Sequence, residues 1–257
     1  MQYGVVAVPV GETVAIAAPR PLYLVALLGV LAISTGVAVR AYRSRERPGA
    51  LAFVVTMVAI TVWCGAYALE LFAADQATYL LFLRVEYLGA SWVTVAWFVF
   101  VLEYTGRGQY VTRGRVAALS VVPALTIVAV WTNPMHGLMW TERALPAAGG
   151  AAASSLGLGF WAYFGYAYIL MAGSTWFLLD AVLSARDRHR RQASLVLVAA
   201  VVPWAFQVVN LLGPAWAPAV NLTPFSFVCS GVVTLAALER YDLLETEPGV
   251  NRIADEC

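Results

Sequence analysis

Seven apolar stretches, each about long enough to cross a bilayer, take up most of this 257-residue chain. A backbone in hydrocarbon must satisfy its own polar groups, which leaves helices or a closed barrel. Barrel strands alternate apolar and polar over about ten residues, whereas each stretch here is apolar throughout. The windows predict helices at Pro21 to Val39, Ala50 to Phe72, Tyr79 to Tyr104, Val116 to Trp131, Phe160 to Leu183, Ala193 to Leu212 and Leu222 to Leu238. The expected fold is an all-α membrane protein, a seven-transmembrane helix bundle. Residues 1–20 form an external lead, 21–240 the bundle, and 241–257 a cytoplasmic tail or the start of a linker. Spans and loops leave no room for a soluble catalytic domain, so any chemistry must sit inside the bundle.

All sixteen basic residues are arginine. A retinal Schiff base needs a lysine amine, so that cofactor is excluded, and no other cofactor is expected. Arg40, Arg43, Arg45 and Arg47 follow the first helix, Arg107, Arg113 and Arg115 the third, and Arg186, Arg188, Arg190 and Arg191 the fifth. Arg240 and Arg252 in the tail join them, while Arg20, Arg84 and Arg143 fall on or near the other side. The positive-inside rule then puts the amino terminus outside and the carboxyl terminus in the cytoplasm. Short basic loops beside spans are topology signals, so no nucleic-acid partner is expected. The first twenty residues lack a basic n-region and contain Pro9 and Glu12, which argues against a cleaved signal peptide.

Cys64, Cys229 and Cys257 offer neither a disulfide framework nor zinc spacing, and no metal site is expected. His136 and His189 fall on opposite faces of the membrane, which disfavours a bis-histidine haem site.

The polar side chains inside the windows gather toward the outside: Glu70, Arg84, Glu86, Gln207, Asn210, Asn221 and Thr223. Ionisable groups within a span cost about 2.5–3.5 kcal/mol on insertion scales, so they turn inward and mark function. Glu70 and Arg84 flank the short link between the second and third helices and are expected to form a structural clasp, snorkelling to the headgroups being the alternative. Glu86 lies deeper and is expected to face inward. The candidate ligand-binding set is Glu86, His136, Trp204, Gln207 and Asn210, with Trp204 beside the helix-kinking Pro203. No catalytic residue is assigned. Trp140, Trp161 and Trp216 are expected in the interfacial belt, and the Ala32, Gly36 pair is read as close helix packing. Glu103, Asp180, Asp187, Glu239 and Asp242 lie beside the arginine clusters and are expected to pair at the surface.

A conduit needs polar groups at mid-depth, where the spans offer mainly Thr56, Thr61, Ser91, Thr94, Thr126 and Ser226. A small transporter or channel is therefore the alternative reading. An intramembrane enzyme is weaker still, because no nucleophile pair, metal motif or carboxylate dyad shares one depth.

Five segments resemble the seven-helix amino-terminal sensor region of membrane histidine kinases. They are WTNPMHGLMW (Trp131 to Trp140), RVEYLG (Arg84 to Gly89), FVLEYTGR (Phe100 to Arg107), RRQA (Arg190 to Ala193), and NLTPFSF with its continuation to ERYDLLETEP (Asn221 to Pro248). The resemblance implies a sensory input domain over residues 21–240, signalling to a cytoplasmic output in cis or in trans. Asn133 and His136 match the family's outer motif, Glu70 and Glu86 its acidic positions, and Thr223 and Pro224 its seventh-helix motif. Pro248 is followed by GVNRIADEC, without a phospho-accepting histidine box or ATP lid. The chain is thus expected to be either a sensor region trimmed from a full-length histidine kinase or a stand-alone relative. Expected partners are membrane lipid, an unidentified small ligand suited to a cavity with a carboxylate and tryptophans, and a second copy in a homodimer.

Overall fold

Residues that are apolar all round bury their backbone hydrogen bonds within each segment, and every predicted window folds as a helix. The computed structural model describes residues 20–143, 154–185, 187–212 and 223–242. The helices are α1 (Arg20–Arg43), α2 (Ala50–Glu70), α3 (Gln76–Tyr104), α4 (Arg113–Trp131), the single turn α5 (Asn133–His136), α6 (Leu158–Ser184), α7 (Asp187–Leu212) and α8 (Thr223–Asp242). By length and composition, α1, α2, α3, α4, α6 and α7 can each cross a membrane; the apolar part of α8, Phe225–Glu239, is shorter. The expected lead over residues 1–19, Trp216, Asn221, and the tail with Leu243, Leu244 and Ile253 lie outside the described residues.

Local chemistry sets the helix starts. Asp75 caps α3 by accepting the Thr78 N–H at 2.9 Å and the Thr78 hydroxyl at 2.7 Å, so the helix begins before the predicted Tyr79. Thr112 caps α4 in the same way through Arg115 N–H. Gly49 opens α2 at φ 84, a left-handed conformation that favours glycine, with the Phe100 ring against it.

The helices close a ring. α1 packs on α2, α2 on α3, α3 on both α4 and α6, α6 on α7, α7 on α8, and α8 returns to α1 and α2. α3 is the central post: Tyr79, Leu83, Glu86, Val93, Trp97 and Phe100 form a buried seam at heptad spacing. The main core is built around Phe53, Met57, Ile60, Trp97, Phe100, Leu178 and Val196.

Two glycines bring helices together. A methyl at Gly89 would overlap the Ala59 carbonyl and stand 2.6 Å from the Trp63 nitrogen, so α2 and α3 touch backbone to backbone there. Gly231 of α8 lies close against a side chain instead, the Met57 sulfur of α2. The small pair Ala32, Gly36 does not do this: both are exposed, and a methyl at Gly36 would meet nothing within 4 Å. Spacing alone marks a smooth helix face without saying which face has a neighbour.

The loop before α6 adds a feature absent from an all-helical expectation. β1 (Trp140–Arg143) pairs antiparallel with β2 (Ser154–Leu156), irregular between Trp140 and Glu142. At the arginine-rich end, the expected surface pairing is seen among the described residues for Glu239 and Asp180. Arg40 Nε meets Glu239 Oε1 at 2.5 Å, tying α1 to α8, and Arg107 Nη2 meets Asp180 Oδ2 at 2.5 Å, tying the α3–α4 link to α6.

Candidate functional site

Glu86 is buried, 8% exposed, in the α3 seam. The Gly89 contact fixes the register of α2 against α3 and brings Glu86 within electrostatic reach of the buried Cys64. Glu86 is thus packed inside the bundle rather than exposed at its surface.

The same register separates Glu70 from Arg84. With Gly89 level with Ala59 to Trp63, Arg84 stands about one turn, ~6 Å, below the end of α2. No hydrogen bond or ion pair joins the two; Oε2 of Glu70 and Nε of Arg84 are buried and each lacks a hydrogen-bond partner. The expected clasp is therefore not closed in this structure.

On the α6–α7 side, the Trp204 ring packs against Tyr168, tilted by 52° with ring centroids 5.1 Å apart. One turn on, Gln207 presents a buried Oε1 without a partner, and the Tyr168 hydroxyl is buried without one too. Two buried polar atoms without partners thus lie on this side of the bundle, one on the ring packed against Trp204 and one a turn further along α7. Tyr168 looks in the sequence like any aromatic in an apolar run, its one distinguishing signal being the cluster Tyr163, Tyr166, Tyr168. Asn210 belongs to α7, but its side chain lies outside the described residues. Deeper in the bundle, Ser91 Oγ, Trp97 Nε1 and Thr234 Oγ1 are further buried polar atoms without partners.

The Asn133 and His136 motif has another role. Asn133, 5% exposed, accepts the Met139 N–H at 2.8 Å on Oδ1 and donates to the Trp140 carbonyl at 2.8 Å through Nδ2. His136 Nδ1 accepts the Leu138 N–H at 3.0 Å, which puts the ring proton on Nε2, 2.9 Å from Thr132 Oγ1. Both ring nitrogens are engaged within their own loop. Gly157 and Gly159 press against the Leu138 carbonyl from the far side and add main-chain bonds to Met139 and Leu138. Trp140 is not a belt residue: it is buried with Leu83, Val130 and Met139, its ring 6.0 Å from Tyr87. The WTNPMHGLMW segment is a self-bonded plate seated on the end of α3 remote from the arginine-rich loops.

Thr223 is fully buried at the start of α8, where its carbonyl accepts the Ser226 hydroxyl at 2.7 Å. Pro224 follows in the first turn, a position that tolerates a missing N–H; its side chain lies outside the described residues. No hydrogen bond or ring contact joins Glu86, His136 and Gln207 to one another among the described residues.

A cavity of about 610 Å³ opens at the opposite, arginine-rich end, between the α3–α4 link and the α6–α7 junction. Arg107, Asp180, His189 and Gln192 line it. In the sequence Arg107 and Gln192 stand out within the resemblance segments, Arg107 also as a topology signal, Asp180 as a surface pair and His189 as an isolated histidine. Among the described residues no cluster of His, Cys, Asp or Glu could hold a metal ion.

Comparison with curated proteins finds no match. A family match does cover the chain: residues 25–248 fit the family described as the N-terminal 7TM region of histidine kinase. Long apolar helices at the expected positions agree with it. The chain belongs to this family, and is accordingly a multi-pass membrane protein of the sensory input class.

Proposed function

We propose that the chain senses an external or membrane-dissolved ligand in its outer half and signals through α8, the seventh span, with the amino terminus outside and the arginine-rich end in the cytoplasm. The observation that carries the reading is the set of buried polar atoms left without partners at that end: Glu70 Oε2, Arg84 Nε, Tyr168 OH and Gln207 Oε1. Such atoms cost about 1–3 kcal/mol each and are retained where something else completes them. Glu86, Trp204, Gln207 and Tyr168 are the side chains we assign to recognition, with Asn210 one turn beyond Gln207. His136 and Asn133 shape the rim, and Glu70 and Arg84 close on each other or on the ligand when it is bound. A ligand acts by binding two bundle arrangements unequally, and α8 carries the difference to a cytoplasmic output in cis or in trans.

The test is a thermal-shift screen of small cationic and aromatic compounds against the purified protein, paired with flux measurements in proteoliposomes. Stabilisation without flux supports the reading. Glu86→Gln and Gln207→Leu should each reduce the shift while leaving the unliganded melting temperature in place. Substrate flux would replace sensing by the transporter or channel reading.

A further inference from the structure

Two of the segments that carry the family resemblance meet at the cavity of the arginine-rich end. Tyr104, Thr105, Gly106 and Arg107 come from FVLEYTGR, and Gln192 and Ala193 from RRQA; His189 lies one turn before Gln192. Nothing in the sensing scheme uses them.

The lining is polar and its positive groups are held in place. The Arg107 guanidinium bonds Asp180 at 2.5 Å and the Thr105 carbonyl at 3.3 Å, and lies 4.8 Å from the centre of the Phe177 ring. Those bonds leave guanidinium N–H donors unspent. Arg115 sits over the Tyr110 ring at 5.4 Å, and Tyr110 lines the cavity. Arg190 and Arg191 are exposed next to it in sequence. Asp180 is the single acid of the lining and is already paired. Gln192 is 8% exposed, lines the cavity, and forms no hydrogen bond among the described residues. A volume of about 610 Å³ is too large for a simple halide and falls in the ~300–1,000 Å³ range of small-molecule sites.

We propose that this cavity binds a phosphate-bearing anion, either a free phosphate species or the headgroup of an anionic phospholipid at that membrane surface. Arg107 supplies fork-shaped charged donors, Gln192 a buried amide donor, and His189 a third polar wall. The site is independent of the outer cluster, so it stands or falls apart from the sensing scheme.

The experiment uses the full chain in detergent, with thermal unfolding followed as inorganic phosphate is titrated at constant ionic strength against chloride. A parallel arm compares nanodiscs of phosphatidylcholine with nanodiscs containing phosphatidylglycerol. A saturable rise in melting temperature with phosphate identifies a free-phosphate site; a rise confined to phosphatidylglycerol identifies a headgroup site. In either case Gln192→Leu and Arg107→Gln should raise the half-saturating concentration, or the required lipid fraction, by about tenfold. Gln192→Leu preserves shape and leaves the Arg107–Asp180 pair intact, which keeps the test valid if Arg107→Gln folds poorly. Absence of a saturable rise in both arms, or a rise that both variants retain, overturns the proposal.

Discussion

The hydroxyl of Tyr166 on α6 donates at 2.6 Å to the main-chain carbonyl of Leu119 on α4, the acceptor that Pro123, four residues on, leaves without a helix partner. A proline in mid-helix and a tyrosine on a neighbouring helix thus solve one problem together. Tyr166→Phe should destabilise the bundle by about 0.5–2 kcal/mol in unfolding from mixed micelles. Pro123→Ala in the same background restores the N–H donor and should recover most of the loss; no recovery would sink the pairing.

Asn133 holds the outer plate by bonding the main chain of Met139 and Trp140. Asn133→Ala strands a buried N–H and a buried carbonyl and should cost about 2–4 kcal/mol. Amide hydrogen exchange at Met139 and Trp140 should accelerate sharply while α2 and α3 stay protected. Unchanged exchange at both amides would show that the plate is held some other way.

Gly89 and Gly36 should behave oppositely when changed to alanine. At Gly89 the new methyl meets α2 backbone, which cannot rotate aside, and the expected loss is about 3 kcal/mol or more. At Gly36 nothing lies within 4 Å, and the better helix former should be neutral or stabilising by up to about 1 kcal/mol. Gly231→Ala falls between them, because the atoms in its way belong to the Met57 side chain. Melting temperatures of the three variants give the order directly.

The Asp75 cap predicts a pH dependence. The Thr78 N–H, and after it the Thr78 hydroxyl, hold the Asp75 carboxyl below the ordinary carboxylate range. A carboxyl depressed in the folded state adds stability that is complete above its unfolded value and disappears as pH falls through the folded one. Asp75→Asn keeps an acceptor for the Thr78 N–H but cannot titrate, so the acid limb of a melting-temperature profile should flatten in this variant. An acid limb identical to that of the unaltered protein would count against the cap as its source.

Most of the helical layout was legible because an apolar run of span length admits few folds. The ends moved where a polar residue caps or extends a helix: Asp75 pulled α3 back to Gln76, and α7 starts at Asp187, taking in arginines that look like loop in a hydropathy window. The site was legible in part. Burial of Glu86 followed from its depth, but the Glu70–Arg84 clasp did not form, because pairing depends on the relative height of two helices, set here by Gly89. Asn133 and His136 were visible as a motif, yet their bonds run to the main chain of their own loop and to the Thr132 hydroxyl, which sequence spacing does not anticipate. The cavity at Arg107 and Gln192 was hidden because its walls come from links distant in sequence.

The backbone contact at Gly89 also limits how this bundle can move. Two helices meshed so tightly cannot slide or roll past one another without first prising apart, so they form a fixed mast. Under the proposed sensing scheme, a rearrangement passed along the bundle must travel through the other helices turning about it, and a crosslink between α2 and α3 should leave that transmission untouched.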